Sequence, residues 1–433
     1  MSWSRRFGAD VLNTRRIRST GMLRAMKHRN YRIFFVGEVI SLTGLWMQRV
    51  AMGWLVYRLT DSAFMLGAVE FAGQLPVFLL GIFAGVFLEK MDLRKVIFLC
   101  QFLSMVHAFT LAFLTLSGLV EYWHIIILSS LLGIVNAYEV PARQAFVVRL
   151  VSKEEDLGNA IALNSSLFNL ARLVGPSLGG IAIALFGEGT CFILNGISYS
   201  ATLSALTLLR ISRHVAASGK ESSFFRDLGE GLSYVRTFIP VRYCLMTLVV
   251  ISLAGIPYIV LLPVFARNIL QGGAEALGFL MAASGLGALA ASIGLAMKRS
   301  PLGMGKTMAV SVTFFGLFIG IFSFSTYFPL SLLLMVFVGF FLVSSLVSCN
   351  TYIQSLVDND KRSRVMSFYI FSVMGIAPAG SLLSGIVASV AGAPVTFAAG
   401  GILCITAGIF LWRQRDTMQI VAEPVLRAKG YIQ

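Results

Sequence analysis

The stretches 97–116, 190–209 and 309–326 hold almost no charge. A helix needs roughly 20 consecutive apolar residues to cross a bilayer, and each stretch supplies about that many. The rest of the chain has the same character: 57% of its 433 residues are hydrophobic and only 13% are charged. Soluble domains carry about 25% charged residues, so no water-facing surface can be built from this composition. Hydropathy places twelve helices at 31–57, 63–88, 95–117, 123–147, 158–185, 190–209, 240–266, 275–297, 305–325, 328–354, 363–389 and 394–412. The expected fold is an all-α membrane protein.

A formal charge of +15 would suit a nucleic-acid binder, but its distribution argues against one. Of the 35 Lys and Arg residues, all but four fall in the N-terminal arm, the C-terminal tail or the loops after even-numbered helices. The exceptions are Arg58 and Arg267 on the other side and Arg49 and Arg172 inside helices. Positive loops stay cytoplasmic, so both termini are expected in the cytoplasm, with an even number of spans. The basic arm can also touch anionic lipid. Residues 1–30 lack the apolar core of a signal peptide. Cys100, Cys191, Cys244, Cys349 and Cys404 are scattered singly, which suggests neither a metal site nor a disulfide framework.

The sequence VISLTG at 39–44 recurs as VISLAG at 250–255. The same offset of 211 maps Leu66-Gly67 onto Leu277-Gly278 and Lys95 onto Lys306. A second echo pairs Gly175-Pro176 with Ala377-Pro378. The chain therefore divides into a basic arm (1–30), a six-helix half (31–209), a linker (210–240), a second six-helix half (241–412) and a tail (413–433). The halves share one orientation, the parallel-repeat architecture of some transporters. In the linker, Phe224, Phe225, Leu228, Leu232, Val235 and Phe238 have helical spacing and predict an amphipathic surface helix.

Several motifs resemble the major facilitator superfamily. The loop between helices 2 and 3, Gly85-Val-Phe-Leu-Glu89-Lys90-Met-Asp92-Leu-Arg94-Lys95, resembles that superfamily's signature loop. Glu89 replaces the usual Asp, and Asp92 the usual Gly. Helix 5 carries Gly175-Pro176-Ser-Leu-Gly179-Gly180, similar to the superfamily's exporter motif. The stretches 46–54, 136–144 and 159–165 resemble the branch of the enterobactin exporter and macrolide efflux proteins. The resemblance implies a major facilitator fold, a cavity lined by helices 1, 4, 7 and 10, and a cytoplasmic gate at Gly85, Glu89, Lys90 and Arg94. Many drug exporters of the superfamily have an Arg early in helix 4 that is linked to proton movement. Ser129 and Ser130 occupy that region here.

Charges in the hydrocarbon core are costly and mark cavities or pairs. The inventory is Glu38, Arg49, Glu70, Glu139 and Arg172, all in the first half. Glu38 and Arg49, eleven residues apart, share a face of helix 1 about 16 Å apart along its axis. Arg49 and Glu70 lie at similar depth, either as a structural pair or as a substrate anchor, with Gln74 one turn on. Ser129, Asn136, Glu139 and Arg143 make a polar stripe on helix 4. Glu139 and Arg143 are expected to lock a gate with Glu89 or Lys90, the alternative being contact with substrate. Arg172, near Asn169, either pairs permanently with Glu38 or Glu139 or attracts an anionic substrate. Tyr258, Asn350 and Gln354 are candidates for a neutral wall in the second half. His107 is expected to be structural.

The function expected is an exporter of an amphiphilic small molecule, a siderophore, drug or metabolite. It would work by alternating access, as a monomer in a bacterial inner membrane. The proton gradient would be the energy source, coupled through Glu38, Glu70 or Glu139, with no cofactor or metal. A lipid or lysolipid translocase and a non-transporting sensor are the rivals. An enzyme is not expected, because no nucleophile–base set, metal cluster or nucleotide loop is present.

Overall fold

The computed structural model describes residues 24–89, 91–151, 154–210, 224–298 and 301–431. Twelve helices are long and apolar enough to span a membrane. They are α1 (Arg29–Thr60), α2 (Ala63–Glu89), α3 (Leu93–Leu116), α4 (Tyr122–Arg149), α5 (Glu154–Phe186) and α6 (Glu188–Leu208), followed by α7 (Ile239–Ile269), α8 (Ala274–Ala296), α9 (Met304–Phe322), α10 (Phe328–Leu356), α11 (Lys361–Ala391) and α12 (Ala393–Arg413). A helix pairs most of its backbone polar groups internally, as a lipid environment requires. Exposed side chains such as Phe113, Leu185, Val390 and Ile402 form an apolar belt of the kind a bilayer covers.

Packing repeats between the halves. α1 packs on α6 and α2 on α4, while α3 meets both α4 and α6. In the second half α7 packs on α12 and α8 on α10, while α9 meets both α10 and α12. The halves join along two seams, α5 against α8 and α2 against α11. Lipid tails are as apolar as the helices, so small residues that permit close approach hold such seams. A methyl group on Gly278 would lie 2.5 Å from Pro176 O, and one on Gly67 would lie 2.5 Å from Ser381 O.

These tight contacts lie toward the end of the bundle away from the chain termini. There, Asn268 also donates to the Tyr57 hydroxyl at 2.6 Å, and Arg267 lies 3.8 Å from Asp61. The same faces lose their neighbours only nearer the terminus-bearing end, past Phe78 of α2, whose ring still meets Phe371 of α11. Gly158 and Gly180 are 22 residues apart on α5, and Gly67 and Gly81 are 14 apart on α2. Each pair falls within about 40° on a helix of 3.6 residues per turn. Gly180 and Gly67 are packed, whereas a methyl on Gly158 or Gly81 would meet nothing within 4 Å.

Outside the spans, among the described residues, two further α-helices lie at the terminus-bearing end. One is Phe224–Thr237 in the linker, where Arg364 bonds Glu230 at 2.7 Å. The other is Arg415–Ala428 in the tail. Lys429 follows it and donates to the carbonyls of Leu356 and Val357, which end α10. Most of the basic arm, 1–23, lies outside the described residues.

Candidate functional site

The intramembrane charges resolve into three groups. The first is buried inside the first half. Glu38 of α1 is 1% exposed, and its Oε2 lies 3.1 Å from Arg143 Nη1 of α4. Neither Glu38 oxygen has an aligned hydrogen-bond donor, so the contact is an ion pair only. Arg143 Nη2 also contacts Glu139 Oε1, one turn earlier on α4. Gln101 Nε2 of α3 donates to Glu139 Oε1 at 2.8 Å, and Ser41 Oγ donates to Gln101 at 3.5 Å. Two carboxylates thus face one guanidinium in a low-dielectric setting, where charges are tolerated only if paired.

The second group opens onto a cavity of about 110 Å³ between the halves. Arg49 Nη2 bonds Glu70 Oε1 at 2.9 Å, and Gln74 donates to the same oxygen. The Arg49 guanidinium also sits 5.4 Å from the centre of the Trp46 ring, within range of a cation–π contact. Opposite these polar groups the wall is apolar, with Ile256, Val260 and Pro263 of α7 and Leu277 of α8.

The third group adjoins it. Arg172 of α5 and Trp46 of α1 line a second, smaller cavity with Tyr258 of α7 and Ser284 of α8. The Arg172 guanidinium interacts with the Tyr258 hydroxyl across the two halves, and the Tyr258 and Ser284 hydroxyls are 2.8 Å apart. Arginine can only donate, so the Tyr258 hydroxyl presents its oxygen toward Arg172 and is free to donate to Ser284.

This arrangement corrects several expectations. Arg172 does not pair with Glu38 or Glu139, because Arg143 already holds both. Helices α4 and α10 do not line either of these cavities; with the halves closed at the far end, α1, α2, α5, α7, α8 and α11 enclose them. Asn350 and Gln354 do not form the expected wall. They bond each other at 2.6 Å near the terminus-bearing end of α10, and Gln354 is exposed. Asn136 and Asn169 line neither cavity, and Asn169 returns its amide to Ser165 O of its own helix. Although Glu38 and Arg49 share a helical face by count, Glu38 turns into the first half and Arg49 toward the cavity.

The exporter-like glycines divide their work. Gly175 and Gly179 let α5 approach Trp46 and Met47 of α1, while Gly180 packs on α8. Pro176 lines the smaller cavity, and its carbonyl oxygen packs closely on Gly278 of α8. Arg94 donates to the carbonyl of Thr207 near the end of α6. The remaining gate expectations cannot be placed: Lys90 lies outside the described residues, as do the side chains of Glu89 and the surroundings of Gly85. His107 is buried against the Leu128 backbone, and all five cysteines are buried and unpaired.

Sequence reasoning missed Gln101, Ser284 and the site role of Trp46. Depth alone would have suggested Gln101. It lies eight residues into α3, Glu38 lies nine into α1, and Glu139 lies ten before the end of α4, all counted from the same end of the bundle. At 1.5 Å per residue these differ by only about 3 Å.

The family profile described as transmembrane secretion effector matches residues 20–422. The staphyloferrin A transporter of Staphylococcus aureus is 27% identical over 377 residues, covering 86% of this chain and 94% of its own. The multidrug efflux pump Tap of Mycolicibacterium fortuitum is 25% identical over 389 residues, covering 87% and 93%. Among solved structures, the nucleoside transporter NupG superposes with a TM-score of 0.68 at 13% identity, covering 89% of this chain and 98% of that one. That last likeness speaks to fold alone. Twelve spans, two repeated halves around a central cavity and a profile match over nearly the whole length identify the chain as a member of the transmembrane secretion effector family of major facilitator transporters.

Proposed function

We propose that the chain exports an amphiphilic small molecule across a bacterial inner membrane by alternating access, with both termini in the cytoplasm. The observation that carries this is the cavity between the halves, whose neighbouring helix faces are sealed at one end and unpacked at the other. Under the expected orientation the unpacked end faces the cytoplasm, the side from which an exporter loads. The mixed lining, Arg49, Glu70 and Gln74 against Ile256, Val260 and Leu277, suits a substrate with both polar and apolar parts. About 110 Å³ is below the roughly 300–1,000 Å³ of drug-sized sites, so loading requires the halves to part further. The two relatives, a staphyloferrin A transporter and a multidrug efflux pump, support this class of cargo.

Proton coupling is assigned to the buried group Glu38–Arg143–Glu139, with Glu70 as the cavity-facing carboxylate. Two carboxylates share one arginine, so a proton on either removes the excess charge and frees Arg143 to favour the other. That gives the first half two arrangements that differ by one proton, which is what coupling requires.

The test compares the medium of cells lacking the chain, cells expressing it, and cells expressing Glu139→Gln, with and without a protonophore. Export of at least one compound by the intact chain, abolished by the protonophore and by Glu139→Gln, is the expected result. Protonophore-insensitive export would remove the coupling claim and leave transport standing.

A further inference from the structure

Around the smaller cavity, donors outnumber acceptors. Among the described residues no carboxylate pairs with Arg172, although Glu70 and Arg143 show that such pairs form readily elsewhere in this half. Trp46 is 8% exposed, and its indole Nε1–H has no acceptor. Tyr258 and Ser284 bring two more hydroxyl groups. An indole nitrogen can only donate and a guanidinium can only donate. A buried donor left without an acceptor costs about 1–3 kcal/mol, so a protein that keeps one beside an arginine lacking a carboxylate is holding a place for an acceptor-only group.

The formal charges agree. Arg49 is neutralised by Glu70, while Arg172 is not neutralised, and the neighbourhood of the two cavities carries a net positive charge.

We propose that Arg172 and Trp46, with Tyr258 and Ser284, form the docking point for an acidic group on the transported molecule, so that the substrates of this chain are organic anions. This rests on the transport reading above and names its substrate class. The smaller cavity, about 10 Å³, has room for about one water, so the acid enters by displacing the Tyr258 hydroxyl from beside Arg172. Ile259 and Met281 line both cavities, which places the apolar body of the same molecule in the larger one. Because Arg172 belongs to the first half and Tyr258 to the second, the incoming acid breaks a contact between halves, and binding bears directly on their separation. Guanidinium–carboxylate and guanidinium–phosphate pairs are the strong, charge-assisted class of hydrogen bond, so the exchange is favourable for the anion and not for a neutral group.

The experiment is mass spectrometry of the medium, in both ion modes, from cells lacking the chain and cells expressing it. Arg172→Gln, Arg172→Lys and Trp46→Phe are compared at equal abundance in the membrane. The compounds exported by the intact chain are expected to carry a carboxylate or phosphate. Arg172→Gln lowers their export about tenfold or more, Arg172→Lys retains part of it, and Trp46→Phe, which keeps an aromatic ring and deletes the N–H, lowers it severalfold. Should Arg172→Gln fail to reach the membrane, Trp46→Phe and Arg172→Lys carry the comparison. Export confined to neutral or cationic compounds, or acid export that none of the variants reduces, overturns the anion site while transport stands. A chain that exports nothing removes the transport reading, and this one with it.

Discussion

Arg143 faces Glu38 and Glu139 inside the first half, where Gln101 bonds Glu139 but Glu38 has no aligned hydrogen-bond donor. Removing one partner of a buried ion pair strands the other and typically costs about 3–5 kcal/mol. Arg143→Leu is therefore expected to destabilise the protein by about that amount, read as a lowered unfolding temperature in detergent. Adding Glu38→Gln to it recovers a good part of the loss, since a buried amide costs less than a buried charge. A double variant no more stable than the single one would show that Glu38 is not what Arg143 supports. Arg49→Ala makes a useful contrast. Its side chain is 45% exposed, and half-exposed pairs are worth about 0–1 kcal/mol. The unfolding temperature should barely move, whereas export falls if Arg49 shapes the cavity. That Glu38, Arg49, Glu70, Glu139 and Arg172 are charges in the membrane was legible in the sequence, as was the similar depth of Arg49 and Glu70. That Arg143 takes both Glu38 and Glu139 while Arg172 meets Tyr258 instead was not, because that depends on how each helix is rotated about its axis.

Two spans contain π-helical turns: Ile251–Gly255 and Phe265–Ile269 in α7, and Phe371–Gly375 in α11; the first and last share a proline relation that the second lacks. A proline clashes with the carbonyl four residues before it. Pro257 and Pro378 stand four residues after Leu253 and Met374, and both of those lie within the π turns. The repeat sharpens the point. VISLTG at 39–44 lies in regular α-helix, and VISLAG at 250–255 does not. The position matching Pro257 in the first half is Trp46. The repeat itself could be read from sequence, but the change in helix type could not, because it needs the proline and the neighbouring element together. A methyl on Gly380 of α11 would meet Leu253 O of α7 at 2.7 Å, so the α7 turn is packed closely against α11. π turns recur at functional sites. Amides of 251–256 and 371–377 are expected to exchange with deuterium before those of α9, Met304–Phe322, in a pulse-labelling experiment on the detergent-solubilised protein. Equal protection would mean the turns are rigid and do not serve as hinges.

The molecule as a whole is two bundles whose mutual position is set by a few close backbone approaches, and those approaches are where its conformational balance can be moved. Twelve spans and two halves could be read from hydropathy and repeat alone, because the bilayer imposes both. The end at which the halves touch could not, since one sequence must fit both arrangements of an alternating transporter. Gly67 and Gly81 separate the two cases. They share a face of α2, yet a methyl on Gly67 would lie 2.5 Å from a backbone oxygen of α11 and one on Gly81 would touch nothing. Gly67→Val must therefore push α2 and α11 apart at the sealed end. With a single cysteine at Val260, on the cavity wall, in a background without the native five, a membrane-impermeant maleimide added outside cells reports that opening. Gly67→Val is expected to raise the labelling rate about tenfold, corresponding to a shift of about 1.4 kcal/mol. Gly81→Val leaves this arrangement untouched and obstructs the one in which the other end closes, so its labelling should not rise and should fall if that second arrangement is populated. The same response from both variants would mean that the seams do not govern access. Opposite responses would show that one helix face serves both gates, each with its own glycine.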